Sequence, residues 1–416
     1  MRGIRGLRRW RIGLPVLAVV IVVLAGGIAM ATSTVPGHPV PGMTAPDWSQ
    51  LSVGPYPSAP TDYKPLYSGA SDVYEIESRR MLGYLVSPDE IDPDVTYLGG
   101  ARTVDDSDGN FGDEVGLLAA PFPKNWQPVA QRNRLIAGAY IWRNNNSVRA
   151  RKHITLAIMR FPSEQAAKAA ADGFADALAA PGLHALPTDG LEARASSISD
   201  DKGQIFAAHG VYAIVGHAVM PQADATALAE RLQAMLRAQL AKMADLKPTP
   251  LEDIPDLPTD PDGIMRMTLP NKYDSSDSDL FGFRQGGVYS AAGALHFERD
   301  GAAARKAFAA AGVDLVARNG ATVYRTRDLA AAFGLQAALT TPGRDDDEFP
   351  NPPGLTDAHC IQLDEPEPVR RATYLCAVVY GRYVAVIGAQ AEFSGAEPGS
   401  FPQRVAAQYS MLAKSG

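Results

Sequence analysis

One strand–turn–strand–helix pattern occurs twice in this chain, and this repetition restricts the possible folds more than any other feature. In the first copy, two apolar runs meet at residues 209–210 and lead into a helical pattern with Leu228 and Leu232 on one face. In the second copy, two apolar runs meet at residues 380–381 and lead into a helix that begins near Ser400. Each junction is an x-Gly pair, which is typical of a tight hairpin because glycine adopts the positive φ required there.

An apolar strand followed by an alanine-rich helix precedes each predicted hairpin. In the first half, residues 154–161 are the predicted strand and Ser163 is the predicted N-cap of the helix. In the second half, residues 294–297 are the predicted strand and Asp300 is the predicted N-cap. Serine and aspartate suit these positions because their side-chain oxygens accept hydrogen bonds from the free amides of the first turn.

These patterns predict an α+β protein built from two similar units, each an antiparallel sheet with helices on one face. A duplicated pair of this kind can pack with a cleft between its halves. Two proline-rich stretches are predicted to be linkers, because proline favours extended, semi-rigid chain. The predicted organisation is a basic head with an apolar segment (1–31), a proline-rich linker (32–66), a first α+β domain (67–246), a second linker (247–262) and a second α+β domain with a disulfide (263–416).

The N-terminal segment predicts export from the cytoplasm. Five arginines precede or enter an apolar run from Ile12 to Ala31, and twenty residues in a helix rise about 30 Å, enough to cross a bilayer core. The arginines favour the cytoplasmic side, so residues 12–31 are predicted to hold the chain in the cell membrane with its body outside. Residues 29–31 also form an A-x-A pattern, so cleavage after Ala31 and secretion stay open as the alternative.

The charge of the exported part argues against nucleic acid as a partner. The whole chain has 39 basic and 46 acidic residues. The first 31 residues hold five of the arginines and no acid, so the remainder carries 34 basic and 46 acidic groups, a net charge of −12. An acidic surface repels phosphate backbones. The expected partners are therefore the membrane, through residues 12–31, and an unidentified ligand or protein of the envelope.

The two cysteines, Cys360 and Cys376, predict one disulfide. An even pair in an exported chain favours oxidation, and closing a loop of this size stabilises by about 3 kcal/mol in the chain-entropy model. A zinc site is disfavoured because His359 is the single neighbouring histidine and no second pair of ligands stands at the usual spacing.

The sequence contains no complete catalytic or cofactor motif. Gly287 to Gly293 has the residues of a nucleophile elbow at the wrong spacing, and no glycine-rich loop ends in Gly-Lys-Ser or Gly-Lys-Thr. Among the histidines, His209 and His217 are the closest pair, and turn and strand positions account for both. We therefore predict no catalytic residue, no cofactor or cofactor-binding residue, and no metal ligand.

Three acidic segments and several carboxylate pairs are predicted to be solvated. Residues 105–114 fit an EF-hand poorly, since Phe111 replaces the required glycine and Leu117 the bidentate glutamate, although a different calcium loop stays open. Residues 274–279 and 345–348 are predicted to be exposed loops. Surface positions are also predicted for Glu75 with Glu77 and for Asp364 with Glu365, and core packing for Phe281, Phe283 and Tyr289.

Two sequence stretches carry a family resemblance. The first joins residues 76–81 to 86–93, and the second joins residues 380–383 to 403–412. Together they resemble an uncharacterised family of actinobacterial cell-envelope lipoproteins, described only as a domain of unknown function, over residues 50–416. The resemblance implies an envelope location and supplies no catalytic residues. Residues 25–40 contain no cysteine, so lipidation does not transfer and anchoring falls to the apolar helix.

Three functions remain compatible with the sequence. A non-catalytic envelope protein that binds a lipid, glycan or protein partner is favoured, because the body is duplicated and no reactive constellation is visible. A hydrolase with an unrecognised site is the first alternative, and a structural or assembly protein is the second. A deep pocket with a perturbed carboxylate or histidine would favour the enzyme, and a large exposed apolar patch would favour the structural role.

Overall fold

The computed structural model describes residues 44–65, 73–105, 111–112, 122–178, 180–271, 286–391 and 399–415. The chain divides into Met1–Thr44 and Ala45–Gly416, and the second of these forms the body described below. Within the described ranges, no helix is both long and apolar enough to cross a membrane. The apolar segment 12–31, on which the membrane prediction rests, lies outside these ranges.

The N-terminal half of the body contains a seven-stranded antiparallel sheet. Its strand order is β1-β4-β5-β9-β8-β7-β6, and β2 and β3 form a separate parallel pair. The elements in chain order are α1 (Glu75–Leu82), α2 (Pro88–Ile91), β1 (Tyr97–Val104), β2 (Phe111–Gly112), β3 (Phe122–Pro123), α3 (Gln127–Arg132), β4 (Ala137–Asn144), β5 (His153–Arg160), α4 (Glu164–Asp176), β6 (His184–Leu186), β7 (Ala193–Ser197), β8 (Lys202–His209), β9 (Tyr212–Val219) and α5 (Ala225–Lys242).

The C-terminal half contains a second seven-stranded antiparallel sheet. Its strand order is β10-β11-β12-β16-β15-β14-β13. The elements are β10 (Gly287–Ser290), α6 (Ala291–Ala294), α7 (Gly301–Ala311), β11 (Leu315–Arg318), β12 (Thr322–Arg325), α8 (Leu329–Leu339), β13 (Asp347–Phe349), β14 (His359–Gln362), β15 (Tyr374–Tyr380), β16 (Tyr383–Ala389) and α9 (Phe401–Ala413).

The two sheets have the same topology. If the strands of each sheet are numbered from its first strand, both have the order 1-2-3-7-6-5-4. In both, a helix follows the third strand (α4 and α8) and another follows the seventh (α5 and α9). The predicted α+β class with two similar antiparallel units is thereby confirmed, and the chain carries one fold twice.

Helices cover both faces of each sheet rather than one. The central strands β9 and β16 are buried along almost their whole length, so each needs apolar cover on both sides. In the N-terminal sheet, alternate strand residues pack with α4 on one face and with α5 on the other. In the C-terminal sheet, α8 lies on one face and α9 on the other. The hydrophobic pattern of a sheet with two apolar faces explains this arrangement.

A shared core fills the space between the two sheets. It contains apolar side chains of α5 from the N-terminal unit and of α7 and α8 from the C-terminal unit. The faces that meet are therefore different: the N-terminal unit contributes its α5 face, and the C-terminal unit contributes its α8 face. The other two faces, covered by α4 and α9, form separate cores.

Most local predictions are confirmed and one is wrong. The hairpins β8–β9 and β15–β16 turn at Gly210 and Gly381, which have φ values of 54° and 56°. Ser163 and Asp300 cap α4 and α7 as expected. Residues 294–297, predicted to be a strand, are helical instead. Ser290 accepts a hydrogen bond from the backbone of Gly293 and starts this helical segment.

The described part of the first proline-rich stretch packs on the C-terminal unit. Tyr56 is buried in the α9-face core, and Leu51, Val53 and Tyr63 pack against that core. The backbone amide of Asp47 donates to the carbonyl of Gly354 at 3.0 Å. Residues 45–65 thus cover part of the C-terminal unit.

Candidate functional site

A row of polar and aromatic side chains crosses the α4 face of the N-terminal sheet. Trp142 on β4 pairs with Thr155 on β5, Thr155 pairs with His217 on β9, and His217 pairs with Gln204 on β8. Side chains at directly paired positions lie on the same face of a sheet. With His153, two residues before Thr155, these side chains are half-buried. We call Trp142, His153, Thr155, Gln204 and His217 the polar row.

Gly99 leaves free the space that the Trp142 ring occupies. A Cβ atom added to Gly99 would lie 2.0 Å from Cε3 and Cζ3 of the indole, so any side chain there would displace the ring. On its other side the indole stacks on the His153 ring, with ring centroids 5.1 Å apart and planes 23° apart. Trp142 is therefore held on both faces, which fixes its position in the row.

The two histidines of the row are neutral at physiological pH. Their ring centroids are 5.6 Å apart. Burial, with the nearby His217 and Arg151, lowers the pKa of His153 to about 3. Burial, with the positive charges of Lys202 and Arg151, lowers the pKa of His217 to about 4. A neutral imidazole presents one hydrogen-bond donor and one acceptor, so the pair suits uncharged hydroxyl groups.

Two buried polar atoms of the row make no hydrogen bond within the described part of the chain. They are Nδ1 of His153 and Oε1 of Gln204. Nε2 of His153 lies 2.8 Å from Oγ1 of Thr155, so only one side of that ring is engaged. Buried polar atoms are almost always paired with protein or water. The two atoms therefore mark a place where a bound molecule can complete the hydrogen bonding.

Two basic side chains lie at one end of the row. Arg151 precedes β5, and Lys202 begins β8. Both side chains are exposed, and both act electrostatically on His217. A ligand that fills the polar row can therefore place an anionic substituent at this end, where the basic groups attract it.

The described residues contain no group of three or more potential metal ligands of the His, Cys, Asp or Glu type. The histidine pair alone supplies fewer protein ligands than a structural or catalytic zinc site uses. The side chains of the polar row offer hydrogen bonding and aromatic contact.

A second polar cluster is buried in the C-terminal unit. Nη2 of Arg370 lies 3.1 Å from Oε1 of Glu298 and 2.9 Å from the hydroxyl of Tyr324, and that hydroxyl donates to Glu298 at 2.6 Å. Burial and the Glu298 charge raise the pKa of Tyr324. Burial also raises the pKa of Glu367, whose carboxylate accepts from the Arg370 amide. Mutually paired groups of this kind are typical of a structural network.

Buried arginines of the N-terminal unit hold the junction with the C-terminal unit. Arg143 donates to the carbonyls of Glu298 and Arg299 at 2.8 and 3.2 Å. Arg160 pairs with Glu77 at 2.5 Å and also donates to the carbonyl of Thr249 in the second linker. Glu77 is fully buried, so its predicted surface position is wrong, because the sequence does not show that two arginines converge on it.

The structure distributes the other predicted residues over unrelated places. Cys360 and Cys376 form a disulfide between directly paired positions of β14 and β15. His209 and His359 are exposed on the surface, and Tyr289 lies in the shared core. Asp364 and Glu365 are exposed as expected. Residues 106–110, 113–114 and 274–279 of the acidic segments, with Phe281 and Phe283, lie outside the described residues.

Sequence reasoning missed the polar row and the buried arginines. His153 adjoins the strand predicted over residues 154–161. The strand register that brings His153 and Trp142 next to His217 is not visible in a single sequence. One signal was available in the sequence. His153, Thr155 and His217 alternate with apolar residues, which places each of them on the more polar face of its strand. Arg370 stands in the sequence as one of two adjacent arginines, which gives no sign of its buried partners.

Family models match both units. The N-terminal model of a domain of unknown function (DUF7373) matches residues 66–259, and the C-terminal model of the same domain matches residues 264–415. The expected resemblance to a two-repeat family of unknown function is thus confirmed. No curated protein matches the chain.

A solved structure, the extracellular domain of PknH from Mycobacterium tuberculosis, is similar at 11% identity with a TM-score of 0.23. The alignment covers 42% of this chain and 99% of that domain.

Proposed function

The chain belongs to the DUF7373 family, and we propose that it is a membrane-anchored protein of the cell envelope that binds a hydroxyl-rich ligand, such as a glycan, without catalysis. Residues 12–31 hold it in the cell membrane, with Ala45–Gly416 outside the cytoplasm. The proposal extends to an actinobacterial envelope, in keeping with the sequence resemblance, but without lipidation. The binding site is the polar row. Nucleic acid is not a partner, given the net charge of −12 outside the N-terminal segment.

The observation that carries this proposal is the pair of buried, unsatisfied atoms in the row. Leaving a buried donor or acceptor without a partner costs about 1–3 kcal/mol, and here both His153 and Gln204 contribute one. Such a cost is commonly tolerated where a ligand supplies the missing partner.

The chemistry of the row selects the ligand class. Its hydrogen-bonding side chains are neutral, and hydroxyl groups can both donate to and accept from an imidazole or an amide. The half-buried ring of Trp142 adds an apolar contact. Arg151 and Lys202 at the end of the row favour a ligand that also carries a carboxylate or phosphate.

The test is direct binding to the body, residues 45–416, whose cores are built from its own residues. Glucose, glucuronate and glucose 6-phosphate serve as probes in calorimetric titrations. We expect the two anionic sugars to bind more tightly than glucose, and Arg151→Ala to remove that difference. Binding of none of these probes would contradict the proposed ligand class.

A variant of Gln204 separates binding from folding. Gln204→Leu removes the unsatisfied acceptor while keeping a similar side-chain volume, so affinity should fall at least about tenfold, a change of about 1.4 kcal/mol. The free energy of unfolding should stay equal or rise, because a buried unsatisfied group is lost. His209→Gln, at the exposed β8–β9 turn, is the matched control and should leave affinity unchanged. Equal affinity of Gln204→Leu and the unaltered body would overturn the assignment of the row.

A further inference from the structure

Five large hydrophobic side chains of the described residues are exposed: Trp48, Val148, Ile198, Leu329 and Tyr380. Trp48 is 53% exposed and Tyr380 38% exposed, and both rings contact Tyr409, with centroids 5.9 Å away in each case. We call these three residues the aromatic patch. Leu329, also exposed, lies near the same end of the C-terminal sheet, since the backbone of neighbouring Thr326 bonds to the carbonyl of Arg382 beside the β15–β16 turn.

The surrounding structure holds the three residues of the aromatic patch in place. Tyr409 lies on α9 and is 9% exposed, and Tyr380 ends β15 at the hairpin turn. Trp48 follows Asp47, whose carboxylate accepts from the side chains of Ser49 and Gln50 at 2.6 Å each. The two exposed rings are therefore presented at fixed positions and need little ordering to bind a surface.

The patch lies close in sequence to the predicted membrane segment. Sixteen residues separate Ala31 from Trp48, and a chain of that length spans at most about 60 Å when fully extended. A connection of this length keeps the patch at a high effective concentration near the bilayer, so even a weak affinity for lipid is sufficient to hold it there.

The charges around the patch do not select anionic lipid. Arg327 and Arg382 are exposed at this end. Three acidic residues lie close by: Asp47 next to Trp48, Asp328 paired with Arg327, and Asp357 near Tyr409. Because basic and acidic groups are both present, we expect the affinity of the patch for the membrane to come from its aromatic rings. Tryptophan and tyrosine favour the headgroup layer of a membrane, where one part of the ring is apolar and the other is wet.

We infer that the aromatic patch contacts the headgroup layer of the membrane to which the chain is anchored, and so fixes the C-terminal unit at the lipid surface. This inference rests on the proposed anchorage by residues 12–31. It adds a second point of contact, which places the unit in one orientation rather than leaving it free at the end of a linker.

The test uses the full chain with Trp10→Phe in phosphatidylcholine vesicles, with and without bromine on the lipid acyl chains near the headgroups. Emission from Trp48 is obtained by subtracting the spectrum of the same protein with Trp48→Phe. We expect brominated lipid to quench the Trp48 emission strongly and to leave the remaining emission, which comes from Trp126 and Trp142 together, unchanged. Tyr380→Ser should lower the quenching roughly twofold, since an exposed ring supplies part of the interfacial affinity.

Val148→Ser is the matched control, because Val148 is 98% exposed in the N-terminal unit and is not part of the patch. It should leave the quenching of Trp48 unchanged. Vesicle flotation on the same samples separates the two proposals. Protein that floats without Trp48 quenching overturns the contact alone, whereas protein that does not float overturns the anchorage and this inference with it.

Discussion

Histidines that are kept neutral make the stability of this protein sensitive to acid. The folded-state pKa values of His153 and His296 are about 3 and that of His217 is about 4, all below the ordinary value of 6.5. Above pH 6.5 both the folded and the unfolded chain hold these rings neutral. As pH falls below 6.5 the unfolded chain binds protons first, so the free energy of unfolding decreases down to about pH 4.

We therefore predict that urea unfolding shows little change in stability from pH 7.5 to pH 6.5 and a growing loss from pH 6.5 to pH 5, a window above the ordinary pKa of the carboxylates. Replacing both row histidines (His153→Gln with His217→Gln) should flatten this slope. His184 supplies a control of opposite sign, because its pKa is raised by the Gly182 carbonyl and Asp200. His184→Gln should steepen the loss. An unchanged slope in the double variant would refute the prediction.

At the residue scale the sequence predicted what depends on neighbours in the chain. The caps Ser163 and Asp300 were predictable because a side-chain oxygen and its amide partner lie three residues apart. Glu77 and Arg160 are 83 positions apart, and only tertiary packing brings them together. The polar row escaped prediction for the same reason, since it needs the register of four strands.

At the scale of elements, the disulfide ties β14 to β15 at the edge half of the C-terminal sheet. Cys360 and Cys376 face each other across the two strands, and both are buried under α9. The loop they close contains Glu367 and Arg370, so the bond also limits the movement of the buried network around Glu298.

We predict that reduction lowers the free energy of unfolding by about 3 kcal/mol, the chain-entropy value for a loop of this length. Urea unfolding with and without dithiothreitol measures it. The double variant Cys360→Ala with Cys376→Ala should unfold at lower urea and should not respond to dithiothreitol. If reductant leaves the unaltered body unchanged while thiol titration shows two free cysteines, the prediction is wrong.

Elements were predictable where a turn signal and an apolar run coincide. The two hairpins satisfy this condition, because glycine supplies a φ near 55° at each turn. Residues 294–297 did not satisfy it: a run of four residues is too short for periodicity to separate strand from helix. Ser290, four residues before Ala294, caps this segment and so favours a helix.

At the scale of the whole molecule, residues 45–65 form part of the C-terminal unit. Tyr56 is buried in the α9-face core, and Lys414 near the end of the chain reaches Ser58 at 3.2 Å. A segment rich in proline loses little backbone entropy when it is bound in an extended form. Its apolar side chains can therefore contribute to stability even though the segment forms no regular helix or strand.

We predict that a body starting at residue 66 is less stable than one starting at residue 45 by about 3 kcal/mol or more, because burial of Tyr56, Leu51 and Val53 is lost. Calorimetric melting of the two proteins measures the difference. Tyr56→Ala in the longer body should reproduce a large part of it. Equal melting temperatures for the two bodies would contradict the assignment.

The duplication was visible in the sequence, but the way the copies pack was not. Helices α4, α5 and α9 each carry an apolar face that suits a sheet, whereas α8 is apolar almost all round. The periodicity of α5 does not show that its side of the sheet also meets the other unit. The buried arginines that fix the junction, such as Arg143, bond mainly to backbone carbonyls, and backbone partners leave no trace in side-chain patterns.

The use of different faces by the two copies has a consequence for stoichiometry. Had like faces met, a twofold axis would give every surface site an equivalent partner on the other copy. Here the α4 face of the N-terminal sheet looks outward, whereas its counterpart, the α8 face, is enclosed in the shared core. A ligand that recognises the polar row should therefore bind once per chain, and the two halves, though alike in topology, are free to serve unlike purposes.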